Sequence, residues 1–249
     1  MSVKSEISSD YIQLCKEKFP SESKRSMHVW ITGDKRDKSI GQAIRLKLDE
    51  NWFRVTSFEG NVCFSRHKAP RDVDTLIMCH GEMHLDWFEN TPIDIIKNVI
   101  ETNLQGSINV TQAFVRQTID NTPRRKKIIS IGSMAYKAVL NGSAAYCASK
   151  AGLAHFMKCI AWELAPKGFD VYSIHPSNTE GTPMSNETVN GLMSYRKITE
   201  EQAIAYWSDN NPRESFLTRE EIADLVHYIC SGKAPYLSGC NLELAGGQR

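Results

Sequence analysis

Short apolar runs that recur between longer stretches of helical spacing constrain this chain more than any other feature in it. His28–Thr32 (HVWIT), Arg54–Phe58, Thr75–Cys79 (TLIMC), Lys127–Ile131 (KIISI), Asp170–Ile174 (DVYSI) and Asn241–Ala245 (NLELA) are each five residues long. That length suits strands, and a run such as TLIMC, apolar nearly throughout, suits a strand buried on both faces. Between them lie helical patterns at Ile40–Leu48, Pro92–Val115, Ala144–Leu164 and Thr218–Ser231. The last opens on a capping box, Thr218 with Glu221 three residues on. Strands alternating with helices predict parallel βαβ units, and therefore an α/β chain folded as a doubly wound Rossmann-type domain around a parallel sheet.

No internal repeat and no linker rich in Gly, Pro or Ser divides residues 28–249, which are expected to form one dinucleotide-binding catalytic domain. Residues 1–27 are polar, with a weak helical stretch around Tyr11–Phe19 that Pro20 closes, and are expected to be an N-terminal extension. Charge excludes several partner classes. Thirty Lys+Arg against 29 Asp+Glu leave a net charge of +1, which calls for neither nucleic acid nor an anionic membrane. The densest basic run, Arg124–Lys127, reads as a solvated turn. No run approaches 18 apolar residues, so no membrane span is expected. The seven cysteines are scattered, with no C-x-x-C and no His at zinc spacing, which excludes a disulfide framework and a structural metal. With no apolar leader at the N-terminus, a reducing cytoplasmic setting is expected.

Chemistry gathers at the strand ends. After the first strand the chain reads Thr32-Gly33-Asp34-Lys35-Arg36-Asp37-Lys38-Ser39-Ile40-Gly41. A Gly directly after a strand, followed by a helix start, lets backbone N–H groups and the helix dipole approach a pyrophosphate. Tyr146 and Lys150 are four residues apart in a helical stretch, so both side chains lie on one face. An ammonium near a phenol favours phenolate and makes the group usable as an acid or base. Ser133 follows the strand Lys127–Ile131, 13 residues before Tyr146. Two hydroxyls and an ammonium are thus expected at the sheet edge that also carries the Gly33 loop.

These residues sit in KIISIGSMAYKAVLNGSAAYCASKAGL, Lys127–Leu153, which resembles the active-site segment of the short-chain dehydrogenase/reductase family. Asn103 in NLQGSINVTQAF resembles that family's helix-borne active-site Asn. DTLIMCHG, Asp74–Gly81, takes the place of its strand ending in Asn-Asn-Ala-Gly, and HPSNTEGTPM, His175–Met184, resembles its Pro-Gly segment. YLSGCNLELAGG, Tyr236–Gly247, matches its C-terminal strand. The resemblance implies a hydride transfer between nicotinamide and a small-molecule carbonyl or secondary alcohol. It implies Tyr146 as proton donor or acceptor, Lys150 lowering its pKa and holding the nicotinamide ribose, Ser133 on the substrate oxygen, and Asn103 holding a water chain to Lys150. It further implies cofactor contacts from Gly33, Ser39, Ile40, Gly41, Gly81 and Thr182, and a homo-oligomer, dimer or tetramer.

Departures from the family pattern keep alternatives open. The glycine loop is two residues longer than usual, with Ser39 in place of its middle Gly, and resembles the loop of the enoyl-thioester reductase branch. The three-residue gap between Tyr146 and Lys150 does not fit that branch. Only about 15 residues separate Glu59 from Asp74, where the family fits a strand and a helix. Val62–Ser65 is expected to supply the strand, and the flanking helix to be missing. His80 either contacts the adenosine or caps local backbone. Glu59, at the end of the second strand, would accept both ribose hydroxyls and favour NAD, whereas Lys35, Arg36 and Lys38 would pair a 2′-phosphate and favour NADP. The local excess of cations tips the reading slightly to NADP. A non-catalytic dinucleotide sensor or scaffold is the alternative to an enzyme, and an enoyl-thioester reductase a further one.

Overall fold

The computed structural model describes residues 27–63, 67–120, 124–209 and 212–248; the helical stretch read around Tyr11–Phe19 lies outside them. β1 (His28–Thr32), β2 (Arg54–Ser57), β3 (Thr75–Met78), β4 (Lys126–Ile131), β5 (Phe169–Pro176) and β6 (Asn241–Leu244) form one sheet in the order β2-β1-β3-β4-β5-β6. Every neighbouring pair is parallel, as the alternation of elements requires.

Side-chain alternation along the strands divides the core into two layers. Trp30, Leu76, Met78 and Ile128 face one side, where Val110 and Phe114 of α3 (Gly106–Thr118) and Leu153 and Met157 of α4 (Ala144–Leu164) cover them. Val29, Ile31, Ile77 and Ile129 face the other, under Ile44 and Leu48 of α1 (Ile40–Glu50) and Ile222 and Val226 of α7 (Arg219–Cys230). Burial on both faces is why β1, β3 and β4 carry apolar runs instead of alternating ones. The capping box at Thr218 and Glu221 opens α7 as the sequence indicates. Between β5 and α7, α5 (Pro183–Arg196) and α6 (Glu200–Ser208) pack on each other through Leu192, Tyr195 and Ala203.

Three readings change. The helical spacing of Pro92–Val115 resolves into α2 (Ile93–Ile100), one π-helical turn (Glu101–Gln105) and α3. Between β2 and β3 the described residues form neither strand nor helix. Val62 and Cys63, from the expected strand Val62–Ser65, lie in a turn, and Val62 packs into the core beside Gly106, where a Cβ would stand 2.6 Å from its Cγ2. β2 is therefore the sheet edge. The basic run is not a solvated turn: Lys126 and Lys127 enter β4 and are 4% exposed each. Lys126 Nζ meets Asp74 Oδ1 at 3.0 Å, and the Arg125 guanidinium clasps the Asp170 carboxylate at 2.7 Å.

Candidate active site

β4 delivers the first hydroxyl. Its last residue is followed by Gly132, whose N–H donates to the Ile174 carbonyl at 2.6 Å. A Cβ on Gly132 would lie 2.6 Å from His175 Nδ1, so only glycine lets the chain turn here beside β5. Ser133, in extended conformation (φ −167°, ψ 154°), then caps a short 3-10 turn at Met134–Tyr136, its Oγ accepting from Ala135 N at 3.2 Å.

The first two turns of α4 carry Tyr146 and Lys150, 5% and 4% exposed. Lys150 Nζ lies 5.6 Å from the centre of the Tyr146 ring and within 3.4 Å of the Ile131 carbonyl oxygen. Burial pushes the Tyr146 phenol up to about 12, while its hydrogen bond with Ser133 pulls the other way. Burial also pushes Lys150 down to about 8. The lowering of the phenol expected from the ammonium is not found in this geometry: burial sets the direction, and the opposing pull comes from Ser133.

Asn103 belongs to the π-helical turn, a feature that often marks function in otherwise regular helices. Fully buried, its Oδ1 accepts from Glu82 N at 2.8 Å, and its Nδ2 donates to the Glu82 carbonyl at 2.8 Å and to Ser149 Oγ at 2.9 Å. The turn thus stitches the segment after β3 to α4. At Gly81 a Cβ would stand 3.2 Å from Asn103 Oδ1 and 3.5 Å from Lys150 Nζ, so these two side chains converge on one backbone position. His80 spans β1 and α3, with Nδ1 2.7 Å from Thr32 Oγ1 and Nε2 3.2 Å from Ser107 Oγ. Burial drives it down to about 3, so the ring is neutral and both nitrogens hold protein hydroxyls.

Two glycines shape the loop after β1. Gly33 has φ +72°, and a Cβ there would lie 2.6 Å from the backbone of Cys79 and His80. A Cβ on Gly41 would lie 2.5 Å from the Gly33 carbonyl. The loop consequently lies flush between the end of β3 and the start of α1. Ser39 is the α1 N-cap, its Oγ accepting from Gln42 N at 3.0 Å and donating to the Gly33 carbonyl at 3.3 Å. A helix N-terminus exposed through a glycine cradle fits the pyrophosphate of a dinucleotide. Glu59 and Lys35, the rival determinants of cofactor preference, are bonded to one another at 2.5 Å, and Arg36 pairs with Glu187 of α5.

Sequence reasoning passed over Asp34. The residue is buried; its Oδ2 accepts from Ser57 Oγ at 2.5 Å and faces Arg45 Nε at 3.5 Å. Oδ1 is buried with no hydrogen-bond partner. The available signal was an acidic residue placed immediately after Gly33, the first residue beyond β1.

A cavity of about 190 Å³ is lined by Ser133 and Tyr146 together with Ile40 at the start of α1, Thr179, Thr182 and Trp207 among others. Thr182 caps α5 through Ser185 N at 3.1 Å, which sets its hydroxyl at the cavity wall. A larger groove of about 1000 Å³, between residues 137–140 and 208–216, contains none of Ser133, Tyr146 and Lys150, and the site is placed by its chemistry rather than by volume.

A family model described as short chain dehydrogenase matches residues 61–192. A 3-oxoacyl-(acyl-carrier-protein) reductase of Buchnera aphidicola is 32% identical over 181 residues, 73% of this chain and 68% of that protein. A (3R)-3-hydroxyacyl-CoA dehydrogenase of Homo sapiens is 30% identical over 185 residues, 74% and 64% of the two chains. A ketoacyl reductase of a monensin polyketide synthase from Streptomyces virginiae is 33% identical over 150 residues, 60% of this chain and 57% of that protein. The chain thus spans somewhat under or about two thirds of these relatives. Among solved structures, NAD⁺-bound xylitol dehydrogenase superposes with a TM-score of 0.81 at 20% identity, covering 90% of this chain and all of that one. An actinorhodin polyketide ketoreductase with NADPH gives 0.80 at 21% identity, covering 91% and 98%, so both share the fold. The family model covers more than half of the chain, and the chain belongs to the short-chain dehydrogenase family, a family of nicotinamide-dependent oxidoreductases.

Proposed function

We propose that this chain is an NAD(P)-dependent oxidoreductase acting on a small-molecule carbonyl or secondary alcohol, with Tyr146 as its general acid and base. The observation that carries this reading is that Ser133 and Tyr146 line one cavity together with Ile40, the first residue of α1, and Thr182. When bound, the dinucleotide supplies or takes up the hydride. Tyr146, neutral well above pH 7, donates its proton to the substrate oxygen as charge develops there, and Ser133 donates a hydrogen bond to the same oxygen. Lys150 supplies positive charge beside the phenol as the proton leaves, and holds the nicotinamide ribose. Asn103, locked by three hydrogen bonds, keeps the π-helical turn and α4 in register, with its water chain to Lys150 as the proton outlet.

Gly33, Ser39, Ile40 and Gly41 hold the pyrophosphate, with Gly81 and Thr182 on the nicotinamide side. Residues 28–249 form the single catalytic unit and residues 1–27 an extension. The chain is taken to act as a homo-oligomer, dimer or tetramer, and Trp162, 87% exposed on α4, is the residue chosen to test that association. The six described cysteines are free thiols and none of the described helices is long and apolar enough to cross a membrane, in keeping with a cytoplasmic setting. The short Tyr146–Lys150 spacing speaks against enoyl-thioester reduction, and the intact pair against a sensor without turnover.

A panel of ketones, aldehydes and 3-oxoacyl esters, incubated with reduced nicotinamide cofactors and followed by loss of absorbance, tests the proposal. Turnover of at least one carbonyl, with enoyl thioesters inert, is expected. Binding of a dinucleotide without turnover on any member would instead favour the sensor.

A further inference from the structure

We infer that His175 is a positioning residue for the reaction, holding the Ser133 carbonyl and so fixing where the Ser133 hydroxyl meets the substrate oxygen. The inference rests on the role given to Ser133 above. His175 is the last residue but one of β5 and is fully buried. Its Nδ1 stands 3.2 Å from the Ser133 carbonyl oxygen. The same oxygen accepts from Tyr136 N at 3.0 Å, the bond that closes the 3-10 turn, so the turn and the histidine share it. Gly132 makes the approach possible, because without a Cβ it lets the imidazole lie against the main chain one residue before Ser133. The Tyr136 ring lies 4.1 Å from the imidazole, centre to centre, and its hydroxyl donates to Glu243, the β6 residue in register with His175. Lys137 Nζ meets the other oxygen of that carboxylate at 2.7 Å. The turn that carries Ser133 is thus braced from both β5 and β6.

Chemistry decides the direction of the bond. A main-chain carbonyl only accepts, so Nδ1 carries the proton. Burial holds the ring below its ordinary range, which leaves it neutral at pH 7 and its Nε2 bare. Nε2 lies 3.3 Å from the side-chain oxygen of Asn241. A half turn of that amide presents its NH2 to the bare nitrogen, whereas the Ser133 carbonyl is pinned by the Tyr136 N–H and does not turn away. The carbonyl therefore sets the tautomer. His175 is absent from the wall of the cavity that Ser133 lines, so it acts on the reaction through Ser133. The Ser133 hydroxyl accepts from Ala135 N and is hydrogen-bonded with Tyr146, and a shift of its main chain moves it relative to the phenol. A displacement of about 1 Å in a reacting group costs up to about 10²-fold in rate.

Two measurements test the inference. The first needs no substrate: nitrogen-15 NMR of the imidazole rings of the full chain at pH 7, with the His175 signals assigned by their loss in His175→Asn. A neutral ring protonated on Nδ1 is expected, and a ring protonated on Nε2 or on both nitrogens overturns the inference. The second combines His175→Leu with Ser133→Ala, using a carbonyl that wild type turns over. Ser133→Ala is expected to lower kcat about 10²-fold. His175→Leu should lower kcat about tenfold with KM within about twofold, because Ser133 acts on charge that develops only in the transition state. In the Ser133→Ala background His175→Leu should cost nothing further. His175→Asn, whose amide N–H replaces Nδ1–H, should recover most of the loss. An unchanged kcat in His175→Leu, the same fold loss with and without Ser133, or an asparagine variant as slow as the leucine variant overturns the positioning role while leaving the oxidoreductase reading intact. If the leucine variant does not fold, the tautomer decides. Turnover of no carbonyl, or a Ser133→Ala variant as fast as wild type, overturns the reading of Ser133 and the inference with it.

Discussion

Tyr146 and Lys150 are buried together, and burial shifts them in opposite directions: the phenol up to about 12, the ammonium down to about 8. The Lys150 shift makes a stability statement. Its pKa in the folded chain lies below the ordinary 10.5, so folding is penalised whenever the amine is charged. The penalty is complete below the folded value and disappears as pH rises through the window from about 8 to 10.5. Lys150→Met is therefore expected to melt several degrees above wild type at pH 7, at about 2–4 °C per kcal/mol for a chain of this size, with the gap closing near pH 10. Melting curves at the two pH values check this, and a pH-independent offset would contradict it. Ser133, Tyr146 and Lys150 were legible in sequence because their geometry is local: a strand end and a four-residue helical spacing. Asp34 was not, because Ser57 and Arg45 reach its carboxylate only through tertiary packing. His80 is similar, since Thr32 and Ser107 approach it from two other elements.

Elements were read well where pattern and packing coincide. The apolar runs of β1, β3 and β4 mark strands covered on both faces, and Ala144–Leu164 is the helix its spacing indicates. The π-helical turn escaped because one widened turn barely disturbs the apolar spacing of Pro92–Val115, and the segment around Val62 escaped because core contact stands in for regular structure there. The basic run misled for a physical reason: Lys126 and Lys127 are consistent with a surface turn until Asp74 and the neighbouring strand enclose them. The joint between β4 and Ser133 is the most demanding of these features. Gly132→Ala sets a Cβ against the His175 ring, so a loss of about 1–3 kcal/mol is expected, with a greater than tenfold fall in turnover as Ser133 shifts. Denaturant unfolding and steady-state kinetics measure the two; an active, equally stable variant would show that β4 and β5 yield more easily than their contact suggests.

On the scale of the whole molecule, the parallel sheet places every strand's carboxyl end at one edge, and loop chemistry from β1, β3, β4 and β5 meets there. The doubly wound sheet and its thinned flank were legible from element order and from the few residues between Glu59 and Asp74. How copies of the chain associate was not, since an interface leaves only exposed apolar groups such as Trp162. Light scattering is expected to return a multiple of 28.1 kDa, lowered by Trp162→Glu; a wild-type monomer would contradict the proposed oligomer. The central proposal, proton transfer by Tyr146 beside a bound dinucleotide, is tested most directly by measuring cofactor binding and carbonyl turnover on wild type and Tyr146→Phe in parallel. Binding within about twofold of wild type with turnover reduced by at least about 10²-fold is expected. A phenylalanine variant that turns over carbonyls at the wild-type rate would contradict it.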